Sequence, residues 1–364
     1  MSRRAFARAA LVGCLLVLGA CAALRPGVRP ALLSVPARRL PAFTDDLEPA
    51  SFRQAVERTI PTLERAGDAV AADTARRLLA LVEETPDPSA RRAAIARGFR
   101  VVRVRDPLLL TAYFEPELEG RLAPDDRFRH PLFGRPADLV DVDPPVLDPA
   151  CRCRRTAGRL EDGKLRPYYS RAEIDAGAVG GRGLEIAWAA DPIAVFVLHV
   201  QGSGRLRLAD GSIVGIGYAG SNGRPYSSLG RTLVSRGLLP QGQTSLADIR
   251  RYLESVPPEE RDALLATNER YTFFRLTEEG PVGSFGVELT PGRSVATDPR
   301  LVPPGAIGYL VTPTVRRFVV NQDTGGAVTG AHADLFLGLG EEAGERAGRT
   351  RDRGVLYLVL PPQP

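Results

Sequence analysis

Glycine and proline are frequent throughout this chain, and their frequency limits the folds that it can adopt. Of 364 residues, 37 are glycine and 31 are proline. Both residues interrupt helices, so the sequence disfavours a helical bundle and predicts short strands joined by many turns. Their share stays below the level of low-complexity chains, and a hydrophobic fraction of 44% is enough for a folded core. The length suits about two domains.

The net charge of the chain gives no indication of a nucleic-acid partner. The formal charge is +5, but Arg3, Arg4 and Arg8 lie in an N-terminal segment that we expect to be removed. Without these three arginines the charge falls to +2 and no basic block remains. Proteins that bind nucleic acids carry a basic patch or stripe. The sequence therefore predicts no nucleic-acid partner.

The N-terminus has the pattern of an export signal followed by a lipid-attachment site. The three arginines precede an uncharged apolar stretch, residues 9–24, that is shorter than the about 20 residues of a membrane span. Residues 18–21 resemble a bacterial lipobox, in which cleavage precedes a cysteine that becomes acylated. Residues 1–20 are then a signal peptide and Cys21 is the lipidated residue. An ordinary signal peptide with a passive cysteine is the alternative.

The residue after Cys21 predicts the membrane in which the lipid would sit. Ala22 stands where an aspartate is associated with retention in the inner membrane. We therefore expect a lipid-anchored protein on the periplasmic face of the outer membrane.

The cysteines and histidines do not form the pattern of a metal site. Cys151 and Cys153 are separated by one residue, whereas zinc ligands are spaced by about two to four residues and come in pairs. Export would place these cysteines in an oxidising compartment, yet a bond between them would close a cramped ring, so their redox state stays open. The histidines, His130, His199 and His332, are scattered. We expect no metal and no cofactor.

The order of sequence patterns predicts a lipid tether, then helices, then mainly strands and turns. Residues 21–48 have no periodicity and are typical of a tether. Helical spacing begins at Ser51. The helices predicted from periodicity and capping are 74–82, 89–97, 227–236, 245–255 and 258–266. The strands predicted are 99–105, 108–116 and the apolar run 185–200, and Asp210 with Gly211 predicts a hairpin.

Two short motifs suggest enzyme classes that their surroundings exclude. Gly202, Ser203 and Gly204 follow the apolar run, but Arg207 replaces the third glycine of a dinucleotide loop, and a nucleophile elbow needs other spacing. A simple turn remains the alternative for this segment. Asp323 begins an Asp-Thr-Gly triplet like that of aspartic proteases, which need two such carboxylates. The chain has one copy.

Residues 319–348 contain the strongest candidate site. Asp323 and Asp334 each lie on or beside an apolar segment and are flanked by glycines, so both carboxylates could lie in one groove. Taken alone, two such aspartates are more often a turn former and a helix cap.

A family resemblance changes that interpretation. Asp298, Asp323 and Asp334 together resemble the three-aspartate (3D) domain of the membrane-bound lytic murein transglycosylase A family. Earlier segments agree with the same family in order, and the lipobox fits it as well. The resemblance covers roughly residues 50–360 and includes the segments 111–116, 170–174, 200–204, 218–220, 222–223, 225–226, 229–230 and 268–274.

The resemblance implies a mainly β fold with N-terminal helices. Its expected centre is a double-psi β-barrel built from two chain segments, with a smaller β-rich domain inserted between them. In this chain the barrel would take residues 45–115 and 273–364, with the 3D region at about 290–360. The inserted glycan-groove domain would take residues 116–272.

The resemblance also implies a reaction on peptidoglycan. Its β-1,4 bond between N-acetylmuramic acid and N-acetylglucosamine would be cleaved without water, because the 6-hydroxyl of the muramic acid closes a 1,6-anhydro ring. One carboxyl can act first as acid and then as base. By its motif position Asp334 is expected to be this acid, with a raised pKa, and Asp323 and Asp298 to support it. The expected sugar contacts are Thr111, Tyr113, Gln201, Ser203 and Tyr271.

The expected partners follow from this activity. Glycan strands of peptidoglycan are the substrate, the lipid on Cys21 binds the outer membrane, and cell-wall synthases are candidate protein partners. A lipoprotein that binds glycan strands without cutting them is the alternative function. The presence of all three aspartates favours the enzyme.

Overall fold

The strands form three sheets in a computed structural model that describes residues 31–105, 107–147, 151, 156–277 and 280–362. Among these residues, one sheet has eight strands, one has six and one has three. The eight-stranded sheet combines strands from the beginning and the end of the chain, whereas the other two use the middle. This division agrees with a domain inserted into another.

The first part of the chain contributes three α-helices, a short 3₁₀-helix (Ala37–Arg39) and three strands. These elements are β1 (Leu32–Ser34), α1 (Pro49–Arg65), α2 (Ala69–Glu84), α3 (Pro88–Gly98), β2 (Arg100–Val104) and β3 (Leu108–Glu115). The predicted helices and the two strands are confirmed. Asp68 and Asp87 cap α2 and α3, because each carboxylate accepts a hydrogen bond from a backbone amide of the first turn.

Residues 32–48 are packed on the fold, so the predicted tether 21–48 is too long. Strand β1 pairs with β2. The ring of Phe43 is buried and stacks on Phe318, with ring centroids 5.9 Å apart. Asp45 pairs with the fully buried guanidinium of Arg293 at 2.7 Å. A second ion pair joins Asp46 to Arg317 at 2.6 Å. The segment lacks periodicity because an aromatic side chain and two ion pairs hold an irregular chain in place.

The middle of the chain forms the six-stranded and three-stranded sheets. Its elements are β4 (Glu117–Arg121), β5 (His130–Phe133), β6 (Leu139–Val142), α4 (Pro144–Leu147), β7 (Thr156–Glu161), β8 (Lys164–Pro167), α5 (Arg171–Asp175), β9 (Glu185–Ala189), α6 (Pro192–Gln201), β10 (Gly204–Arg207), β11 (Ile213–Ser221), α7 (Leu229–Ser235), α8 (Leu246–Ser255), α9 (Pro258–Leu265) and β12 (Thr272–Thr277). The larger sheet has the order β12-β11-β10-β4-β9-β5, and the smaller has the order β6-β7-β8. The predicted hairpin at Asp210 and Gly211 is confirmed, since β10 and β11 pair antiparallel. Strand β12 pairs with β11, so this part extends beyond the predicted limit at residue 272.

The apolar run 185–200 was predicted as one strand, and this prediction is wrong. It contains β9 and then α6. Asp191 caps α6 by accepting a backbone hydrogen bond, and Pro192 occupies the first turn. Gly202 ends the helix with a φ of 87°, in the left-handed region that favours glycine. The Gly-Ser-Gly segment therefore follows a helix, not a strand.

The last part of the chain completes the eight-stranded sheet. Its elements are β13 (Ser294–Thr297), β14 (Ile307–Val311), β15 (Arg316–Asp323), β16 (His332–Leu339), α10 (Gly340–Arg349) and β17 (Arg351–Leu360). The order is β1-β2-β17-β14-β15-β13-β16-β3, and β3 also pairs with β17. Six of these strands therefore close into a ring: β3, β17, β14, β15, β13 and β16. Buried aliphatic side chains such as Leu110, Leu335 and Leu356 form its core.

Some residues singled out in the sequence lie outside the described ones. These include the predicted signal peptide, Cys21 and Cys153. Cys151 is in a disulfide bond whose second cysteine is also outside them. No helix in the described part of the chain combines the length and the apolar character needed to cross a membrane.

Candidate active site

Asp334 lies on β16 opposite Thr111 of β3. The two strands are parallel, and their register pairs these two residues. The Thr111 hydroxyl is 2.7 Å from Oδ1 of Asp334 and 2.8 Å from Nε2 of His332. Burial raises the pKa of Asp334 to about 6; the bond from Thr111 opposes this, and the negative charge of Asp323 adds to it. A carboxyl with such a pKa can hold a proton and release it at mildly acidic pH.

Asp323 ends β15 and is fixed by several donors. Its carboxylate accepts hydrogen bonds of 2.8 Å each from the Tyr113 hydroxyl and from the backbone amides of Ser284 and Thr324. Burial raises the pKa of Asp323, while these donors lower it. Because the donors favour the charged form, Asp323 can supply the negative charge that acts on Asp334.

Asp298 follows β13 and stabilises the loop before Asp334. Its carboxylate forms a two-point contact with Arg300 at 2.6 and 2.9 Å and accepts a hydrogen bond from the Gly330 amide at 2.8 Å. The bonds from Arg300 are the main reason that the pKa of Asp298 falls to about 2. Gly330 lies between the other two aspartates, so Asp298 holds the turn that connects them.

Four of the five expected sugar contacts lie at the junction of the two large sheets. Thr111 and Tyr113 hold the two carboxylates already described. The Gln201 side chain accepts a 3.3 Å hydrogen bond from the backbone amide of Phe114. Ser203 donates a hydrogen bond to Glu115 and lines a cleft with it.

Tyr271, the fifth expected contact, is buried in the core of the inserted part. Only 3% of its surface is exposed. Its ring packs edge-to-face against the ring of His199, with ring centroids 4.1 Å apart, and also packs on Phe133 and Phe273. It has no face free for a sugar ring, and we do not retain it as a contact.

Comparisons with known proteins identify the family. Residues 109–275 match the model of the MltA specific insert domain, and residues 293–360 match the 3D domain. The crystal structure of a membrane-bound lytic murein transglycosylase from Agrobacterium tumefaciens is 33% identical with a TM-score of 0.76, covering 91% of this chain and 98% of that one. The chain belongs to the MltA family. The resemblance seen in the sequence is confirmed.

Two further MltA proteins are similar to this chain. The crystal structure of MltA from Neisseria gonorrhoeae is 30% identical with a TM-score of 0.71, covering 90% of this chain and 92% of that one. Membrane-bound lytic murein transglycosylase A of Vibrio cholerae is 32% identical over 265 residues, which are 69% of this chain. The match spans 65% of the length of the Vibrio cholerae protein.

Two residues without a predicted role lie next to predicted site residues in the structure. Glu115 is 4% exposed and lies 3.2 Å from Arg205; burial raises its pKa. It lines a cleft of about 350 Å³ together with Ser203 and Arg275. The sequence could have indicated a role for Glu115, because this residue belongs to segment 111–116, which carries part of the family resemblance.

His332 is the second residue that the sequence analysis left without a role. It lies two positions before Asp334 on the same strand, so both side chains leave the same face of the sheet. This spacing could have indicated a role beside the acid. Within the described ranges, no three or more His, Cys, Asp and Glu side chains are grouped so that they could hold a metal ion.

Proposed function

We propose that this member of the MltA family is a peptidoglycan lytic transglycosylase. It cleaves the β-1,4 bond between N-acetylmuramic acid and N-acetylglucosamine without water and leaves a 1,6-anhydro end, in cell-wall turnover. The relatives named lytic murein transglycosylase support the substrate class. The observation that carries the proposal is the raised pKa of Asp334, in a carboxyl that Thr111 holds at the junction of the two sheets.

The reaction needs one carboxyl that acts twice. Asp334 donates its proton to the glycosidic oxygen while the bond from that oxygen to C1 breaks, and the bonding electrons leave with the oxygen. The Asp334 carboxylate then takes the proton of the muramic acid 6-hydroxyl as that oxygen bonds to C1. Asp334 ends the cycle protonated, so no water is consumed. The negative charge of Asp323 favours the acid form at the start and stabilises positive charge at C1.

The surroundings of the other two aspartates support a single working acid. Hydrolysis by an ordinary glycosidase needs a second carboxylate to activate water or to act as the nucleophile. Asp323 is fixed by three donors and Asp298 is paired with Arg300. Both carboxylates are occupied in holding the site together, which favours attack by the substrate's own hydroxyl.

We infer that the closed ring of strands is the double-psi β-barrel of the family and that residue 21 carries the lipid. The barrel is supported by six strands contributed by two separate chain segments. The anchor is supported by the lipobox-like residues and by the name membrane-bound given to the relatives. The part of the predicted tether that precedes residue 31 lies outside the described residues, and we propose that the lipid sits on the periplasmic face of the outer membrane.

The alternative function is a lipoprotein that binds glycan strands without cutting them. One experiment distinguishes it from the proposed enzyme. Purified sacculi are digested with the full chain, and the products are analysed by mass spectrometry. A 1,6-anhydro end is lighter than a reducing end by one water. Asp334→Asn should lower the rate by about 10²–10⁴-fold while sacculus binding persists. The matched control is Asp73→Asn, which changes an exposed carboxylate on α2.

Each outcome of this experiment has a defined meaning. Anhydro products from the parent and the Asp73→Asn control, but not from Asp334→Asn, support the proposal. Reducing-end products would make the chain a hydrolase. Binding without products from the parent would favour the non-cutting lipoprotein, and full turnover by folded Asp334→Asn would place the acid at another residue.

A further inference from the structure

The Thr111 hydroxyl lies between two groups that compete for its single hydrogen. Its oxygen is 2.7 Å from Oδ1 of Asp334 and 2.8 Å from Nε2 of His332. A threonine hydroxyl can donate to only one partner at a time, although its oxygen can also accept. The direction in which it donates therefore decides which form of the Asp334 carboxyl is stabilised.

The other side of the His332 ring fixes that direction. The backbone carbonyl of Ala327 can only accept a hydrogen bond, and it acts on the ring as the acceptor of a donated hydrogen. Because Nε2 already faces Thr111, we assign this donation to Nδ1. Burial lowers the pKa of His332, and the positive charge of Arg351 on β17 adds to the effect, so the ring is neutral at neutral pH. A neutral imidazole with its hydrogen on Nδ1 offers a lone pair at Nε2.

This tautomer leaves one arrangement of hydrogens. Nε2 accepts from the Thr111 hydroxyl, so the Thr111 hydrogen is not available to Asp334. Two oxygens 2.7 Å apart need a hydrogen between them, and Asp334 must then supply it. We propose that His332 is a positioning residue that draws the Thr111 hydrogen toward itself and thereby keeps Asp334 in its acid form. The role of Asp334 in this statement rests on the proposed function.

The same three groups explain how the site changes during a turnover. After Asp334 has given its proton to the leaving oxygen, rotation of the Thr111 hydroxyl lets it donate to the new carboxylate. Nε2 of His332 then keeps a free lone pair. When Asp334 regains a proton from the sugar hydroxyl, the Thr111 hydrogen returns to His332. The hydrogen bond reverses without any movement of a heavy atom.

The arrangement predicts a pH dependence with two limbs. The charged group acting on His332 from β17 is Arg351, while the titratable groups acting on or facing Asp334 are Asp323, Tyr113 and Tyr226. When His332 becomes protonated, Nε2 donates to Thr111, which must then donate to Asp334 and favour its carboxylate. Activity therefore falls at low pH because His332 becomes protonated. It falls at high pH because Asp334 loses its proton.

A pair of variants with opposite effects tests the direction of the hydrogen bond. His332→Phe keeps a ring but removes the acceptor, so the Thr111 hydroxyl donates to Asp334 permanently. The basic limb of kcat/KM should move down by about one pH unit, the scale of one hydrogen bond to a charged group. Thr111→Val removes the hydroxyl, and because its bond to the charged carboxylate is stronger than its bond to the acid form, the same limb should move up. His332→Phe in the Thr111→Val background should cause no further shift.

Controls separate this role from a structural one. His130→Phe makes the same change at a half-buried histidine on β5 and should leave the pH profile unchanged. Thr111→Ser keeps the hydroxyl and should restore the parental profile. A structural role for His332 would lower the rate without moving the limbs in opposite directions. If the basic limb of kcat/KM shifts in the same direction in His332→Phe and in Thr111→Val, the proposal is overturned.

A second measurement does not depend on activity. The full chain has three histidines, so nitrogen NMR signals of labelled histidine can be assigned with the two Phe variants. We expect neutral His332 to carry its hydrogen on Nδ1, and a hydrogen on Nε2 would overturn the proposal even in an active enzyme. If instead Nδ1 carries the hydrogen but sacculi are not cleaved, the hydrogen-bond assignment stands and the proposed function fails.

Discussion

Replacing Asp334 by asparagine should stabilise the fold at neutral pH although it removes the acid. The native carboxyl has a pKa of about 6, against an ordinary value of 3.8. A raised pKa means that the folded chain holds this proton more tightly than the unfolded chain does. The resulting stability is fully present below pH 3.8 and is lost as the pH rises through about 6. At about 1.36 kcal/mol per pKa unit, the loss is about 3 kcal/mol.

The assay compares two pH values so that other effects of the substitution cancel. The free energy of unfolding is measured by denaturant titration at about pH 4 and about pH 8, for the parent and for Asp334→Asn. Between these values the parent should lose about 2–3 kcal/mol more than the variant, because asparagine remains uncharged. At about pH 8 the variant should therefore be the more stable protein.

Asp298→Asn is the matched control because its effect has the opposite sign. The pKa of Asp298 is lowered to about 2 by Arg300, so its carboxylate stabilises the fold above pH 3.8 and loses this effect as the pH falls toward 2. Arg300 is 66% exposed, and solvent screening limits the contribution to about 1 kcal/mol. Asp298→Asn should thus be less stable than the parent at about pH 8.

One result would refute the reasoning about Asp334. If the parent and Asp334→Asn lose stability in parallel between the two pH values, Asp334 does not have the raised pKa. The acid would then have to be sought at another residue, first at Glu115, which lines the cleft and whose pKa is also raised by burial.

Three further predictions concern the anchor, the cysteines and the N-terminal segment. Cys21→Ser should release the protein from membranes or stall its processing, and co-fractionation of the variant with the outer membrane would contradict the lipid assignment. Replacing Cys151 and Cys153 together with serine should change the free energy of unfolding by less than about 1 kcal/mol, so a fall of ten degrees in melting temperature would show that these cysteines stabilise the fold. Arg293→Leu should cost about 3–5 kcal/mol in denaturant unfolding because it leaves the carboxylate of Asp45 without its buried partner; a loss under about 1 kcal/mol would mean that the packing of Phe43 holds the segment.

Elements with clear periodicity and capping residues could be predicted from the sequence. Helix α8 begins after Ser245, whose side chain and that of Asp248 form a capping box. The hairpin at Gly211 followed from local chemistry as well, since this glycine has a φ of 83°. In both cases the residues that determine the structure are neighbours in sequence.

Errors arose where the determining contacts are distant or the pattern is ambiguous. A continuous apolar run fits a buried strand or a buried helix, and the capping Asp191 before α6 was the overlooked signal. Tyr271 was predicted to contact the sugar, but an aromatic residue in a sequence can serve either sugar binding or core packing. Its burial depends on His199, which is 72 residues earlier in the chain. The position of Asp334 followed from its motif, whereas its hydrogen bond to Thr111 depends on a strand pairing that the sequence does not reveal.

The parallel pairing of β3 with β16 also determines when the site can form. Thr111 and Asp334 are 223 residues apart, and the whole inserted part lies between them. Contacts of such high sequence separation form late and slowly, because the chain must first lose the entropy of a long loop. A chain that emerges N-terminus first has its threonine long before its acid. While the chain is still being synthesised the two groups cannot meet, and the proposed activity can arise only when the final strands dock beside β3.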